Sequence, residues 1–247
     1  MSHRFFVAPE CVSENRVTFT EDQRKQLRNV LRLCPGEIVY ILDNTGREYV
    51  TEIQALDGVE AVGRIVESRY PATEPVMRLT LVQAMPKGEK LDFILQKCTE
   101  IGVSEFLIIQ TERTVARIPP EKVQTRLERW RAIVREAAEQ SGRAFLPIVE
   151  GVLPFHEAVA RVMKYPAAIA WEEERSASLL NAVREIGSPH RAAVLIGPEG
   201  GFTAAEVDQA RERGIIPVSL GPRTLRTETA AIVASALVIY GQEAGVC

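Results

Sequence analysis

Two glycine-containing loops near the carboxyl end of the chain carry the residue types that most clearly suggest a ligand site. The first loop, Gly197-Pro198-Glu199-Gly200-Gly201, follows the apolar run Ala193–Ile196 and leads into Thr203 and Glu206. Glycine permits positive φ angles and close approach of the backbone to a ligand, and Thr203 and Glu206 have the spacing of a helix capping box. A glycine-rich loop between a buried strand and a helix start favours ligand binding over an ordinary turn.

The second loop runs over residues 221–230, after the predicted strand Ile215–Leu220, and leads into a helix over 231–239 that is apolar nearly all round. Arg226 and Glu228 lie at the amino end of that helix. One interpretation places them in a ligand site; the other is a surface ion pair, which contributes little to stability. Ligands of parallel α/β sheets bind beyond the carboxyl ends of the strands. Two consecutive loops of this kind therefore predict a shared pocket.

The loops match no familiar phosphate-binding motif. The chain contains neither G-x-x-x-x-G-K-[ST] nor G-x-G-x-x-G, the signatures of P-loop nucleotidases and of dinucleotide-binding enzymes. This argues against both classes and leaves a nucleoside ligand without a phosphate chain open.

A local basic stretch lies between Arg113 and Arg143, with eight Lys or Arg residues against four acidic ones. Arg113, Arg117 and Arg143 flank a predicted helix over Glu121–Ser141 and have no evident partner in the sequence. A solvated helix face with i,i+4 pairs is one interpretation; a face that contacts RNA phosphates is the other.

Composition limits the function classes. The chain has 247 residues, 46% hydrophobic and 26% charged, with 30 Lys and Arg against 33 Asp and Glu, a net charge of −3. These values are typical of a globular protein of one or two domains. They exclude a protein that is basic all over, the simplest signature of a nucleic-acid binder, but not a local basic face.

Cysteine and histidine usage argues against a metal site. Three histidines are present, no CxxC pair occurs, and the spacings suit neither zinc nor a disulfide framework. We expect free, buried thiols in a reducing cytoplasm and, because the longest apolar run is too short to cross a bilayer, no membrane association. The four cysteines are Cys11, Cys34, Cys98 and Cys247.

The patterns predict two domains. Short strands dominate the first seventy residues, with one helix over Glu21–Arg32, and indicate a small antiparallel sheet or barrel. Pro71 and Pro75 mark an extended linker, which places the boundary between residues 1–72 and 73–247. Beyond it, apolar strands alternate with helices, the pattern of an α/β domain with a parallel sheet covered on both faces.

Six segments together resemble a known family. Residues 197–202 and 220–230 are similar to the two cofactor loops of SPOUT-class RNA methyltransferases, and the chain as a whole resembles the RsmE family. The other matching segments, in order, are His3–Val7, Val30–Arg32, Gln96–Val103 and Glu136–Arg143. Gln26 stands where the family often has a histidine.

The resemblance implies a fold and an activity. The expected fold is a small N-terminal PUA-like β-barrel that holds RNA, followed by a SPOUT α/β domain whose C-terminal end forms a deep trefoil knot, an exception to the usual chain topology. The expected activity is methylation of N3 of a uridine in 16S ribosomal RNA, with S-adenosylmethionine as cofactor. A homodimer that acts on an assembled 30S particle, without a metal, is expected.

The resemblance also implies site residues. Arg226 would stabilise the anionic base or a phosphate, and Glu228 or Glu199 would accept the uridine proton, with an ordering role preferred for Glu199. RNA contacts are expected from Arg4, Arg32, Arg113, Arg117 and Arg143. Cofactor contacts are expected from Ile196, Gly197, Pro198, Glu199, Gly200, Gly201, Leu220, Gly221, Leu225 and Thr229.

Three other functions stay open at this point. Because a fold does not fix the acceptor atom, a methyltransferase could act on a ribose 2′-hydroxyl or on another base atom. A non-catalytic RNA-binding or ribosome assembly factor with a relic pocket is less favoured, since such a pocket need not keep intact glycine loops. A nucleotide-dependent enzyme of another α/β class lacks its phosphate motifs.

Overall fold

A computed structural model describes residues 3–56, 61–186 and 190–244 of the chain. Two compact units are distinguished by their internal contacts. The first comprises Met1–Glu74 and Ala138–Leu146; the second comprises Pro75–Ala137 and Pro147–Cys247.

The first unit contains a six-stranded mixed sheet. Its strands are β1 (Arg4–Phe6), β2 (Val12–Ser13), β3 (Arg16–Phe19), β4 (Ile38–Leu42), β5 (Glu48–Ala55) and β6 (Ala61–Arg69). Their order is β1-β4-β5-β6-β3-β2, with β1 parallel to β4 and the other pairs antiparallel. Strands β1 and β2, at the two edges, do not pair with each other in the described residues, so the sheet is a curled half-barrel. This agrees with the PUA-like N-terminal fold that the resemblance implied.

The helix predicted over Glu21–Arg32 forms in two parts. Helix α1 (Glu21–Lys25) begins at a capping box, in which Gln23 N donates to Thr20 Oγ1 at 3.3 Å and Thr20 N donates to Gln23 Oε1 at 3.0 Å. The chain continues as one π-helical turn over Gln26–Val30. Arg32 then has a φ of 56°, a left-handed conformation that cannot extend a right-handed helix.

Residues 138–146 complete the first unit. Ala138 packs on Phe6 and Leu42, and Phe6 N donates to Glu139 Oε1 at 3.0 Å. Glu74, within the predicted linker, accepts hydrogen bonds from Arg143 Nη2 at 2.8 Å and from Ala144 N at 2.7 Å. The end of this segment is therefore anchored by an ion pair.

The second unit contains a six-stranded, fully parallel sheet of order β12-β10-β11-β7-β8-β9. Its strands are β7 (Arg78–Ala84), β8 (Glu105–Gln110), β9 (Ile148–Pro154), β10 (Ala167–Ala170), β11 (Arg191–Ile196) and β12 (Ile216–Val218). The helices are α2 (Lys90–Ile101), α3 (Pro120–Ser141), α4 (Phe155–Val162), α5 (Leu179–Ile186), α6 (Ala204–Glu212) and α7 (Thr227–Glu243). Strand β9 was missing from the sequence-based prediction.

Both faces of this sheet are covered, as predicted. On β8, Phe106 and Ile108 join one apolar core with α2, α3, α5 and α7, whereas Leu107 and Ile109 join a second core with α4 and α6. Alternate residues of a strand point to opposite faces, so a strand that is apolar throughout must be covered on both sides.

Helix α7 is apolar nearly all round but is not buried on all sides. Ala231, Ala234 and Ile239 are buried against the first core. The opposite face keeps Val233 and Leu237 half-buried, and Tyr240 is 53% exposed. An apolar stripe of this helix is therefore left partly in contact with solvent.

The described cysteines differ in accessibility. Cys98 is buried, Cys11 is half-buried and Cys34 is exposed, so only part of the buried-thiol prediction is confirmed; Cys247 lies outside the described residues. Burial raises the pKa of the Cys98 thiol to about 12. We expect iodoacetamide at pH 8 to modify Cys34 of the folded protein and to leave Cys98 unmodified until urea unfolds the chain, as peptide mass mapping would record. Modification of both thiols at equal rates would contradict the buried placement.

Candidate functional site

A cavity of about 480 Å³ lies at the carboxyl ends of β10, β11 and β12. These strands are neighbours in the sheet, so the three segments that follow them converge. The volume falls within the range of small-molecule sites, about 300–1,000 Å³. The predicted residues in its wall are Ile196, Gly197, Pro198, Glu199, Gly201, Leu220, Gly221, Leu225 and Arg226.

The loop after β11 is held in shape by backbone conformation and by the start of α6. Gly201 has a φ of +68°, which disfavours any other residue there. Thr203 Oγ1 accepts from Glu206 N at 3.3 Å and Glu206 Oε2 accepts from Thr203 N at 2.9 Å. The capping box predicted from the sequence is confirmed.

Arg113 supports the same loop from outside. Its Nη1 donates to Gly200 O at 2.8 Å, and a Cβ on Gly200 would lie 3.2 Å from Arg113 Cβ. Glu112 N donates to Glu206 Oε1 at 2.8 Å. The turn after β8 therefore holds both the glycine loop and the helix that follows it.

The loop after β12 reaches the cavity through Ser219 and Gly221. Gly221 has a φ of +112°, and its N–H donates to Ser219 Oγ at 3.2 Å. Leu225 is half-buried, and the exposed Arg226 occupies the N-cap position of α7. This loop contributes an apolar wall and a cation to one cavity.

A buried hydrogen-bond chain joins the two loops. Thr227 Oγ1 donates to Gly197 O at 2.6 Å and accepts from Gln83 Nε2 at 3.1 Å. Gln83 and Thr227 are both buried. The first turn of α7 is thereby tied to the loop after β11 and to β7.

The Thr227→Val variant keeps the side-chain volume and removes this link. We expect it to lower the free energy of unfolding by about 2 kcal/mol, because Gly197 O and one Gln83 N–H lose a buried partner. Urea denaturation followed by tryptophan fluorescence would measure the change. The control is Thr125→Val on the exposed face of α3, and a change at Thr227 as small as in this control would contradict the assigned link.

The segment after β10 was missed by the sequence analysis. It brings Trp171, Glu172 and Arg175 into the cavity wall. Trp171 Nε1 is buried and has no hydrogen-bond partner within the described chain, which makes it a donor available to a ligand. The sequence does carry one signal for these three residues, because they follow the apolar run over residues 167–170. The sequence pattern does not give the order of the strands in the sheet, which places β10 between β11 and β12 and so brings these residues to the cavity.

Two carboxylates and one ammonium lie at the edge of the cavity. Lys90 Nζ is 2.8 Å from Glu199 Oε1 and 3.5 Å from Glu228 Oε2, and Lys87 N donates to Glu199 Oε1 at 3.1 Å. Burial raises the pKa of Glu199, but the hydrogen bonds from Lys90 and the backbone outweigh it, so this pKa lies below its ordinary value. Glu199 is thus held ionised and bonded, a geometry suited to ordering the loop.

Three predicted site residues lie outside the cavity wall. Gly200 packs against Arg113, Thr229 is exposed, and Glu228 stands beside Lys90 at the margin. Conversely, the wall includes residues that the sequence analysis did not assign. These are Lys90, Ala170, Trp171, Glu172, Arg175, Ser219, Pro222, Arg223, Thr224, Thr227 and Ala230.

The arginines expected to contact RNA have different environments. Arg32 and Arg117 are exposed, and Arg113 supports the glycine loop. Arg4 lies over the Tyr40 ring and pairs with Glu48 at 3.2 Å.

Arg143 was expected to be an unpaired loop residue, and the structure differs. Its side chain is 3% exposed and forms a buried ion pair with Glu74. This buried pairing removes Arg143 from the arginines expected to contact RNA.

The described residues contain no group of three or more His, Cys, Asp or Glu side chains arranged to hold a metal ion. Within the same residues, no helix combines the length and the apolar character needed to cross a membrane.

Comparison with known proteins identifies close relatives of the whole chain. The family described as "RNA methyltransferase domain" matches residues 72–239. "Ribosomal RNA small subunit methyltransferase E" of Synechocystis sp. is 37% identical over 240 residues, covering 96% of this chain and 77% of that protein. The protein of the same name from Bacillus subtilis is 32% identical, covering 92% and 90%.

Solved structures of related proteins are similar to this chain over nearly its whole length. A ribosomal RNA small subunit methyltransferase E from Neisseria gonorrhoeae, bound to S-adenosyl methionine, is 31% identical with a TM-score of 0.88, covering 99% of this chain and 98% of that one. A putative methyltransferase from Legionella pneumophila, also in complex with this cofactor, is 28% identical with a TM-score of 0.87, covering 96% and 97%.

Proposed function

The chain belongs to the ribosomal RNA small subunit methyltransferase E family, and we propose that it transfers a methyl group from S-adenosylmethionine to N3 of a uridine in small-subunit ribosomal RNA. The observation that carries the proposal is the cavity at the ends of β10, β11 and β12. It occurs in a chain that aligns over nearly its whole length with a relative bound to this cofactor.

The cavity wall fits this cofactor chemically. Backbone groups of Gly197 and Gly221 and the apolar Leu220 and Leu225 suit an adenosine, and the unpartnered Trp171 Nε1 offers a further donor. The methionine part carries a carboxylate, which suits the cations of the wall, among them Arg175 and Arg223. When bound, the cofactor supplies an electrophilic methyl group on a sulfonium.

Methylation also requires that the proton on uridine N3 be removed, and this step falls to the residues of this chain. Uridine N3 carries a weakly acidic hydrogen, so methylation is faster if a positioned base removes it. Glu228 is the preferred base because its Oε2 is buried, near the cavity and without a hydrogen bond in the described chain. Glu199 orders the loop, and Arg226, exposed at the cavity wall, contacts the substrate base or a phosphate.

RNA recognition is assigned to four arginines, of which Arg32, Arg113 and Arg117 are exposed and Arg4 is half-buried. The PUA-like RNA-binding domain that we propose over residues 1–72 lies within the first unit and contributes Arg4 and Arg32. The second unit contributes Arg117 and, near the glycine loop, Arg113. Support comes from the exposure of Arg32 and Arg117 and from the general preference of phosphates for such groups.

We further propose a homodimer and a knotted chain end. The half-exposed apolar stripe of α7 supports the dimer, since Val233, Leu237 and Tyr240 would be covered by a second copy. The contacts of α7 with α2 and α5 support a C-terminal segment enclosed by the rest of the fold, as a trefoil knot requires. Light scattering of the purified protein tests the dimer.

The test of the proposed function is methyl transfer from labelled cofactor. Two substrates are offered: naked small-subunit RNA and small subunits from cells that lack the modification. Nucleoside mass mapping then locates the methyl group on N3, on another base atom or on the ribose. Labelling of neither substrate would overturn the proposal, and calorimetry without cofactor binding would favour a non-catalytic RNA-binding factor.

A further inference from the structure

Lys90 links the two loops of the cavity through their carboxylates. It is the first residue of α2, and its side chain, 33% exposed, lies in the cavity wall. Glu199, at 2.8 Å, belongs to the loop after β11, and Glu228, at 3.5 Å, belongs to the first turn of α7. One ammonium therefore faces two carboxylates from separate segments.

The position of this lysine is unfavourable for the helix itself. The amino end of a helix carries partial positive charge, which disfavours a cation in the first turn. The two carboxylates offset this cost. Helix stability therefore does not explain a lysine at this place, and a role in the cavity does.

Glu228 gives Lys90 a second role. Its Oε2 is buried and accepts no hydrogen bond from the described residues, and its side chain is 17% exposed. Lys90 Nζ, at 3.5 Å, is too far for a good hydrogen bond but close enough to stabilise a charge nearby. A planar base placed beside Glu228 would also lie beside this ammonium.

We propose that Lys90 is a further catalytic residue, the cation that stabilises the uracil anion formed when N3 is deprotonated. This rests on the proposed function. The N3–H bond breaks and the proton goes to the Glu228 carboxylate, so the negative charge moves from Glu228 to the uracil ring while Lys90 stays in place. The N3 lone pair then forms the bond to the methyl carbon, the carbon–sulfur bond breaks with its electron pair going to sulfur, and Glu228 returns its proton to solvent.

The physical advantage of this arrangement is that the ammonium of Lys90 stays in place during the reaction. A preorganised cation at the place where negative charge develops needs no reorganisation during the reaction. Glu199 keeps the ammonium in position throughout, because it remains ionised and bonded to Lys90.

The first test compares Lys90→Met, Lys90→Arg and a matched control, Lys97→Met. Lys97 lies on the same helix and forms an ion pair with Glu100. Its side chain is about as exposed as that of Lys90, and it is not part of the cavity wall. At saturating cofactor and RNA we expect Lys90→Met to lower kcat about 100-fold, with cofactor Kd changed less than about threefold. Lys90→Arg should keep most of the activity, and Lys97→Met all of it.

The second test separates anion stabilisation from a purely structural effect. RNA that carries 5-fluorouridine has a more acidic N3, so its anion depends less on a nearby cation. We expect the ratio of wild-type to Lys90→Met rate to shrink about tenfold on this RNA. The control is the same ratio for Lys97→Met, which should not change.

The outcomes distinguish this inference from the function on which it rests. An unchanged rate ratio on 5-fluorouridine RNA, or a Lys90→Met defect confined to cofactor Kd, would overturn the role of Lys90 while leaving the methyltransferase intact. Absence of N3 methylation by the wild-type protein would instead overturn the proposed function.

Discussion

Glu228→Gln is expected to lower the rate of methyl transfer by about 10²–10⁴-fold, the usual contribution of a positioned base. Glutamine keeps the shape of the side chain and removes its ability to accept a proton. The residue lies outside the cavity wall proper, so cofactor affinity should stay close to that of the wild-type protein. Single-turnover methylation at saturating RNA, together with calorimetry of cofactor binding, measures the two quantities separately.

A matched control is available on another helix. Glu157 occupies the first turn of α4, as Glu228 does in α7, but it is exposed and is not part of the cavity wall. Glu157→Gln loses the same favourable interaction with the helix dipole and should methylate at the wild-type rate. If Glu228→Gln also binds cofactor and methylates at full rate, Glu228 is not the base.

The second large effect concerns stability, at the ion pair between Glu74 and Arg143. Arg143 is 3% exposed, Glu74 is 22% exposed, and the Glu74 carboxylate also accepts from the backbone of Ala144 and Phe145. Removing one partner of a buried pair costs about 3–5 kcal/mol, because the other charge stays buried and loses that partner. We expect Glu74→Ala to destabilise the first unit by about 3 kcal/mol, the lower end of that range, since Glu74 is partly hydrated.

Hydrogen exchange of the amides in β1 and β4–β6 measures this effect in the first unit alone. A loss of 3 kcal/mol corresponds to exchange about 100-fold faster for amides that require unfolding of the whole unit. The control Glu14→Ala removes an exposed carboxylate from the same unit and should change nothing. Joint replacement of Glu74 and Arg143 by leucine should recover part of the loss, and equal exchange in Glu74→Ala and the control would contradict the account.

The sequence predicted those parts of the site that follow from local patterning. The apolar run ending at Ile196, the three glycines after it and the capping residues Thr203 and Glu206 indicate a strand, a ligand loop and a helix start. The strand and the helix start are confirmed, and the role of the loop as a ligand site stays a prediction. The predicted helix over Glu121–Ser141 is also confirmed as α3, and its Leu127, Trp130 and Val134 are buried in the first core.

The rest depends on contacts between residues far apart in the chain. Trp171 reaches the cavity only because β10 lies between β11 and β12, an order that periodicity does not encode. Arg143 and Glu74 are separated by 69 residues, so no local pattern links them. Lys90 and Glu228 meet only because α2 and α7 pack on the same face.

Helix α3 has a consequence for how the chain is made. Its last residues, Ala138–Ser141, and the turn that follows belong to the first unit, whereas the rest of the helix belongs to the second. During synthesis the nascent half-barrel lacks its partner for Phe6 and for Glu74 until Leu146 has left the ribosome. The amino-terminal unit therefore completes its interior only after this segment has been made, and a fragment cut at residue 74 would omit part of that interior.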